Sequence, residues 1–253
     1  MHQTPEFQAA LQLLRRAKHL VALTGAGYST PSGIPDFRSP HSGLWERYNP
    51  AEVASLHGFR LHPERFYDWM RPLAHTLLAA EPNAAHYALA RLEARGKLHS
   101  IITQNIDMLH TRAGSKTVYE LHGHLRKMTC IHCFTSYPAA ERITQYLEDG
   151  ALPRCERCGH VLKPDVILFG EQLPAHTLAA ARKEARQCDV MLVAGSSLEV
   201  YPAAELPAMA QHFGAALILV NLTPTALDAL ADVVIRADVA EVIPQLVDAL
   251  DEP

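Results

Sequence analysis

The stretch from Leu20 to Arg38 constrains this chain more than any other. It reads Leu-Val-Ala-Leu-Thr-Gly-Ala-Gly-Tyr-Ser-Thr-Pro-Ser-Gly-Ile-Pro-Asp-Phe-Arg. Leu20 to Leu23 is a short apolar run closed by glycine, the pattern of a strand buried in a parallel sheet. Gly25 and Gly27 let the backbone turn tightly and come close to a ligand. A turn of this kind leading into a helix N-terminus presents N–H groups to a phosphate. Taken alone, Gly25-Ala26-Gly27 is equally a plain turn leaving a strand. The dinucleotide fingerprint is incomplete, because Thr30 stands where a third glycine or alanine belongs. The continuation is an ordered loop: Gly33 and Pro35 break any helix. That loop carries an acid, a ring and a guanidinium at Asp36, Phe37 and Arg38.

The rest of the chain alternates strands with helices. Thr4 caps a first helix with Pro5 at its first position, and Phe7, Leu11 and Leu14 share a face. Residues 41–71, with prolines at Pro50 and Pro63, read as short helices and loops that form a lid over a ligand. Pro82 to Arg95 reads as a helix stopped by Gly96, and Ala175 to Gln187 as another. Strands are expected at Leu98 to Thr103, Val118 to Leu121, Val190 to Ala194, Leu217 to Val220 and Val233 to Ile235. Thr223-Pro224 looks like a helix cap, and Asp238 with Glu241 makes an approximate capping box.

This alternation argues for an α/β fold with a doubly wound parallel sheet, in which ligands bind beyond the C-terminal strand ends. Polar clusters follow five strands: Gly25-Ala26-Gly27, Gln104 to Asp107, His122, Gly195 to Ser197, and Asn221. Loops are polar anyway, so one such cluster would mean little. Five along one sheet edge imply a shared cleft.

At 253 residues, one domain with inserts or two small domains is expected. The expected large, Rossmann-like domain comprises 1–38, 77–125 and 166–253, with a helical insert at 39–76 and a cysteine-bearing insert at 126–165. A net charge of −4 and a pI of about 6.4 argue against a sequence-independent grip on nucleic acid. The N-terminus has neither a basic segment nor an apolar one of the secretory kind. No apolar run nears the ~18 residues of a membrane span. The expected location is therefore cytoplasmic, where thiols stay reduced and paired cysteines point to metal rather than disulfide. No sequence signal sets an oligomeric state.

Cys130-Ile131-His132-Cys133 and Cys155-Glu156-Arg157-Cys158 are two Cys-x-x-Cys turns with 21 residues between them. Each turn brings two thiolates together, and four thiolates close a Zn²⁺ shell. Such a site has no open position and is structural. His132 offers a substitute ligand, but the four-sulfur set is simpler. Cys188 stands beside an apolar strand and reads as an inert core thiol.

The motif Gly-Ala-Gly-x-Ser-x-x-Ser-Gly-Ile-Pro-Asp-Phe-Arg resembles the cofactor loop of the sirtuins, the NAD-dependent protein lysine deacylases. Tyr28 stands where that loop usually has an aliphatic residue. Gln104-Asn105-Ile106-Asp107 with Leu109-His110 and Ala113-Gly114 resembles a second sirtuin motif, and His122-Gly123 a third. Gly170-Glu171 after Ile167-Leu168-Phe169 resembles the substrate clamp, with Ile167 where valine is more usual. The cysteine spacing resembles the family's zinc ribbon. The likeness runs from about Lys18 to the C-terminus, with the motifs in the family's order.

The resemblance implies a Rossmann-like domain with a smaller zinc-ribbon and helical domain, NAD as co-substrate and a structural Zn²⁺. It implies that NAD is held by Gly25, Ala26, Gly27, Ser29, Thr30, Pro35, Asp36, Phe37 and Arg38. Further contacts are implied at Gln104, Asn105, Ile106, Asp107, Gly195, Ser196, Ser197, Asn221, Leu222, Asp238 and Val239. Within that set Ile106 and Asp107 hold the carboxamide, Gln104 and Asn105 orient the ribose, and Phe37 shields the reacting face. Arg38 and the backbone around Ala26 and Ser196 receive the diphosphate.

Ile167, Phe169, Gly170 and Val200 are implied to bind an acetyl-lysine substrate as an extended peptide, with Zn²⁺ on Cys130, Cys133, Cys155 and Cys158. His122 and Asn105 are the implied catalytic residues. An amide oxygen is a weak nucleophile and attacks only a carbon already becoming an oxocarbenium ion, so the pocket must exclude water. A ribose hydroxyl must then lose a proton, and an imidazole, with an ordinary pKa of about 6.5, suits that step. His110 and His124 read as structural.

Expected products are free lysine, nicotinamide and O-acyl-ADP-ribose. Family members that remove acidic acyl groups resemble each other in a Tyr-x-x-Arg pair. Here Tyr67 is followed by Met70, so acetyl or neutral acyl groups are expected. The alternatives are mono-ADP-ribosylation of a protein side chain and a non-catalytic zinc- and NAD-binding sensor. A hydride-transferring dehydrogenase fits poorly, lacking both the third glycine and the acid about 20 residues on.

Overall fold

The computed structural model describes residues 4–37, 43–46 and 48–251. The strands are β1 (Leu20–Thr24), β2 (Leu98–Thr103), β3 (Val118–Glu120), β4 (Gly123–Cys130), β5 (Ser136–Pro138), β6 (Leu162–Val166), β7 (Val190–Ala194), β8 (Ala216–Val220) and β9 (Val233–Ile235). The helices are α1 (Pro5–Arg16), α2 (Pro50–Val53), α3 (Leu56–Leu61), α4 (Pro63–Ala79), α5 (Ala84–Ala94), α6 (Leu109–Arg112), α7 (Ala140–Asp149), α8 (Ala175–Gln187), α9 (Glu205–His212) and α10 (Val239–Ala249).

Six strands form one parallel sheet in the order β3-β2-β1-β7-β8-β9. The order reverses between β1 and β7, which makes their C-terminal ends the switch point where such sheets bind ligands. Side chains alternate between two buried faces, as the pleat requires. Leu20 and Ala22 pack under α1, α5 and α10, while Val21 and Leu23 face the α8 and α9 side. Both faces are covered, which is why these strands read as unbroken apolar runs.

The caps expected at Thr4 and Asp238 are present: Thr4 accepts from the Phe7 N–H and Asp238 from the Ala240 N–H. Two local readings are corrected. Thr223-Pro224 starts no helix. Instead Thr225 donates to Asp228, and the segment makes only a short 3-10 turn over Asp228–Leu230. The lid region is also less fragmented than expected, because α4 runs unbroken for 17 residues. Pro63 sits at its first turn, where no N–H is needed. Pro72 lies inside, tolerated by a buried stripe of Phe66, Tyr67, Trp69, Met70, Leu73, Ala74 and Leu77.

That stripe shares a third core with the cysteine-bearing segment, whose small antiparallel sheet is ordered β5-β4-β6. Tyr67 donates to the Leu162 carbonyl at 2.6 Å, and its ring meets Tyr146 edge-on. The Arg71 guanidinium donates to the Leu147 carbonyl at the end of α7.

Candidate active site

The frame of the site is two loops pressed together at the switch point. Gly25 N–H donates to the Ala194 carbonyl, Gly27 N–H to the Gly195 carbonyl, and Gly195 N–H to the Val220 carbonyl. A Cβ on Gly25 would lie 2.8 Å from the Gly195 oxygen, and one on Gly195 would lie 2.3 Å from Tyr28 N. Gly195 also has φ +61°, which disfavours any other residue. The glycines expected to make room for a ligand are therefore needed first to let one loop touch the other. The expected helix N-terminus is two short 3-10 turns, Ala26–Tyr28 and Thr30–Ser32. Their N–H groups at Gly27, Tyr28 and Ser29 are already bonded to backbone carbonyls. The cradle for a phosphate is thus narrower than a free helix end would give.

Behind these loops lies a connected polar network. Asn105 Nδ2 donates to the Gly25 carbonyl (3.0 Å) and to Ser29 Oγ (3.1 Å). With both N–H bonds committed, the amide oxygen is the group left for a ligand. Ser29 Oγ donates to Asp107 Oδ2 (2.7 Å), and the Leu109 N–H donates to Oδ1 (2.9 Å). Burial holds the Asp107 carboxyl above the usual carboxylate range, opposed by those two bonds. Gln104 Nε2 donates to Ser196 Oγ at 2.8 Å, and its own N–H to the Thr24 carbonyl. Strand ends β1, β2 and β7 are thereby fastened by side chains as well as by backbone.

His122 follows β3. Its Nδ1 is 2.9 Å from the Gln104 carbonyl. A carbonyl only accepts, so the neutral ring carries its proton on Nδ1 and its lone pair on Nε2. That is the tautomer a base acting through Nε2 requires. The His122 carbonyl accepts from the Ile167 N–H (2.8 Å), which ties the base to the expected substrate clamp. Gly123 must be glycine here: φ is +77°, and a Cβ would lie 2.0 Å from the Asp165 oxygen.

Of the clamp residues, Phe169 exchanges backbone bonds with Ala54 and Leu56 and remains 44% exposed, and Gly170 has φ +88°. Ile167 and Val200 are half-buried and Ser197 likewise. A groove of about 650 Å³, lined by Arg60, Tyr119, His124 and Lys163 among others, meets the site at Gly123 and Ile167. Pro35, Asp36 and Phe37 are half-buried, with Phe37 against the α4 core. Arg38 lies outside the described residues.

On the far side, the Asn221 amide donates to the Thr223 carbonyl (2.8 Å), and Leu222 is 66% exposed. Asp238 spends its carboxylate on the cap of α10, and Val239 is core. Their side chains are thus engaged in the fold, which leaves backbone for any ligand contact.

The four cysteines expected to bind metal converge. The sulfur separations are 3.4 Å for Cys130–Cys158 and for Cys133–Cys158, and 3.5 Å for Cys133–Cys155. These exceed a disulfide's ~2.05 Å and approach the ~3.8 Å edge of a zinc–sulfur tetrahedron with ~2.3 Å bonds. The Thr135 hydroxyl and backbone pull the Cys133 thiol down to about 6, and the Tyr137 hydroxyl lies 3.3 Å from Cys155 Sγ. Four sulfurs so placed fit Zn²⁺, with Cys130, Cys133, Cys155 and Cys158 able to fill its shell.

Sequence reasoning missed the layer beneath the site. Thr24 Oγ1 bonds both Thr103 Oγ1 and His110 Nε2 at 2.9 Å. The Tyr28, His86 and His110 rings cluster under the cofactor loop, Tyr28 meeting His86 edge-on and His110 tilted against both, with the Tyr28 hydroxyl donating to the Ala85 carbonyl. Burial depresses His86 to about 4 and His110 well below the imidazole range. Met108 and Leu198 hold φ of +62° and +55°, strained backbone beside Asp107 and Ser196 that no sequence pattern announced.

The model of the Sir2 family matches residues 25–202. NAD-dependent protein deacylase 2 of Archaeoglobus fulgidus is 48% identical over 244 residues, covering 96% of this chain and 95% of its own. A structure solved in work on the mechanism and regulation of Sir2 enzymes superposes with TM-score 0.92 at 47% identity, over 99% of this chain and 98% of the other. A Sir2 protein holding a deacetylated p53 peptide and 3′-O-acetyl-ADP-ribose superposes with TM-score 0.91 at 40% identity, over 96% and 98%. On the strength of the family match and these likenesses, the chain belongs to the Sir2 family, the sirtuins.

Proposed function

We propose that this chain is an NAD-dependent protein lysine deacetylase, yielding deacetylated lysine, nicotinamide and O-acetyl-ADP-ribose. The observation that carries the reading is the bond between His122 Nδ1 and the Gln104 carbonyl, which fixes the tautomer whose Nε2 serves as a base. The relatives' names and the product complex support the same reading.

NAD, when bound, supplies an electrophilic ribose carbon as its nicotinamide departs. The protein's own part is to bind, orient and dry that centre. Ile106 and the buried Asp107 take the carboxamide. Gln104 and the Asn105 oxygen orient the ribose. Gly25, Ala26, Gly27, Ser29, Thr30, Pro35 and Asp36 line the cofactor loop, and Phe37 closes the reacting face against water. Arg38 and the backbone near Ser196 receive the diphosphate. Ser197, Asn221, Leu222, Asp238 and Val239 take the adenosine end. His122 removes the ribose hydroxyl proton through Nε2. Ile167 and Gly170 offer backbone groups to an extended acetyl-lysine peptide, flanked by Phe169 and Val200. Cys130, Cys133, Cys155 and Cys158 would hold a structural zinc, which would fix the ribbon's shape. The domain limits follow the same division, with the zinc ribbon and the helical lid set on the NAD-binding domain. No helix among the described residues is long and apolar enough to cross a membrane, and the reduced cysteine pairs suit the cytoplasm.

Acetyl or another neutral acyl group is the substrate. Tyr67 is buried and spends its hydroxyl on Leu162, Met70 is buried, and Arg71 is bound to Leu147. No Tyr-x-x-Arg pair therefore meets an acyl carboxylate. The test is mass spectrometry of matched acetyl- and succinyl-lysine peptides incubated with enzyme and NAD. Loss of the acetyl mass, with succinyl-lysine turned over at least ~10-fold more slowly, is expected. Gain of ADP-ribose on the peptide or the enzyme without acetyl loss would replace the reading with ADP-ribosyl transfer.

A further inference from the structure

Two histidines flank the sulfur cluster of the ribbon without belonging to it. His132 sits inside the first Cys-x-x-Cys turn, and His160 follows the second by two residues. Both side chains are exposed, yet their rings stack with centroids 4.0 Å apart and planes within 5°. One ring nitrogen of each and the sulfur of Cys158 lie within 4.8 Å of one another. The His160 Nδ1 is 3.1 Å from the Cys158 carbonyl. As at His122, the carbonyl accepts, so the neutral ring holds its proton on Nδ1 and its lone pair on Nε2. Donating one ring N–H to a backbone carbonyl while the other nitrogen is left for a metal is the usual arrangement of a histidine ligand.

The electrostatics favour a second cation there. Four thiolates on one Zn²⁺ leave that unit with a net charge of −2, and a thiolate bound to one metal keeps lone pairs for another. The donors need separations of roughly 3.3–3.6 Å for tetrahedral Zn–N and Zn–S bonds of ~2.0–2.3 Å. Closing from within 4.8 Å asks at most about 1.2–1.5 Å of movement (4.8 minus 3.6 or 3.3), with a turn of the stacked rings so that both in-plane lone pairs meet one ion, from two solvent-exposed side chains. Imidazole and thiolate suit zinc and its neighbours in the transition series, whereas magnesium and calcium demand oxygen ligands.

We propose that His132, His160 and Cys158 form a second metal site for a zinc-class divalent cation, with Cys158 bridging it to the ribbon's zinc. Because its remaining positions face solvent, the outer ion exchanges more readily than the inner one.

The test uses protein carrying its ribbon zinc, dialysed against Zn²⁺ or Mg²⁺, with bound metal counted by elemental mass spectrometry. The expected result is a second zinc equivalent on the wild type and no added magnesium. The His132→Asn, His160→Asn double variant is expected to lose that equivalent and keep the first. His99→Asn, which removes a second stacked histidine pair, His19–His99, is expected to keep both. Co²⁺ added to the zinc-loaded wild type should give a thiolate-to-cobalt charge-transfer band that the double variant lacks. A wild type that stops at one equivalent, a second equivalent that survives the double variant, or bound cobalt without the thiolate band would overturn the proposal.

Discussion

Replacing Gly195 by alanine tests whether the site is held together by the contact of its two loops. A Cβ there would sit 2.3 Å from Tyr28 N and 2.5 Å from Gly27 C. Ordinary contact begins near 3.4 Å, so the loops must part by about 1 Å (3.4 minus 2.3). That shift takes the Gly27 N–H to Gly195 carbonyl bond from 2.9 Å to beyond hydrogen-bonding range. Leaving such a donor unmet costs about 1–3 kcal/mol, and a Cβ at positive φ adds about 1–2. The sum, roughly 2–5 kcal/mol, is a large share of a typical total of ~5–15. Gly96→Ala separates the two contributions. Its φ is +70°, but nothing lies within 4 Å of the added carbon, so only the ~1–2 kcal/mol of conformation applies. Urea unfolding should show Gly195→Ala the more damaging by about 1–3 kcal/mol. Calorimetry should find NAD binding weakened more than ~10-fold (about 1.4 kcal/mol) in Gly195→Ala and unchanged in Gly96→Ala. Equal stability losses, or intact NAD binding in Gly195→Ala, would refute the loop-contact account.

Three further outcomes are expected. His122→Ala should lower kcat for deacetylation by about 10²–10⁴ while the peptide still binds, since a positioned base contributes that much; unchanged turnover in a steady-state assay would remove His122 from the chemistry. His86 is depressed to about 4 by burial, so the unfolded chain takes up a proton near pH 6.5 that the folded chain refuses. The stability this site provides is complete above pH 6.5 and falls away as pH drops from 6.5 toward 4, by about 3 kcal/mol at ~1.4 per unit. Denaturation midpoints should therefore fall less steeply over that window in His86→Gln than in the wild type. Cys155→Ser should abolish retention of the ribbon's zinc and lower the melting temperature, because a structural metal's binding energy is folding energy; zinc held at full stoichiometry would contradict the four-sulfur site.

The parallel sheet was legible because its strands are buried on both faces, so Leu20–Leu23 and Val190–Ala194 read as unbroken apolar runs. The strand-end residues Asn105, Asp107 and His122 were legible because their motifs stand in order along the chain. The cysteines announced themselves by spacing. α4 was obscured because Pro63 and Pro72 read locally as breakers, whereas one begins the helix and the other is carried by packing that only tertiary context supplies. The false cap at Thr223-Pro224 failed for a similar reason: Thr225 finds Asp228 nearby and closes a local turn instead. The crowding between Gly195 and Tyr28, 167 residues apart in the chain, has no local signature, and neither does the buried layer of Thr24, His86 and His110.

The central claim is that removal of the acetyl group and cleavage of NAD are one coupled reaction. Its most direct test counts products from a single acetyl-lysine peptide incubated with and without NAD. One nicotinamide and one O-acetyl-ADP-ribose for each acetyl removed, and none of the three when either substrate is omitted, is the expected result. Deacetylation that proceeds without NAD, or nicotinamide released with the peptide left acetylated, would contradict it.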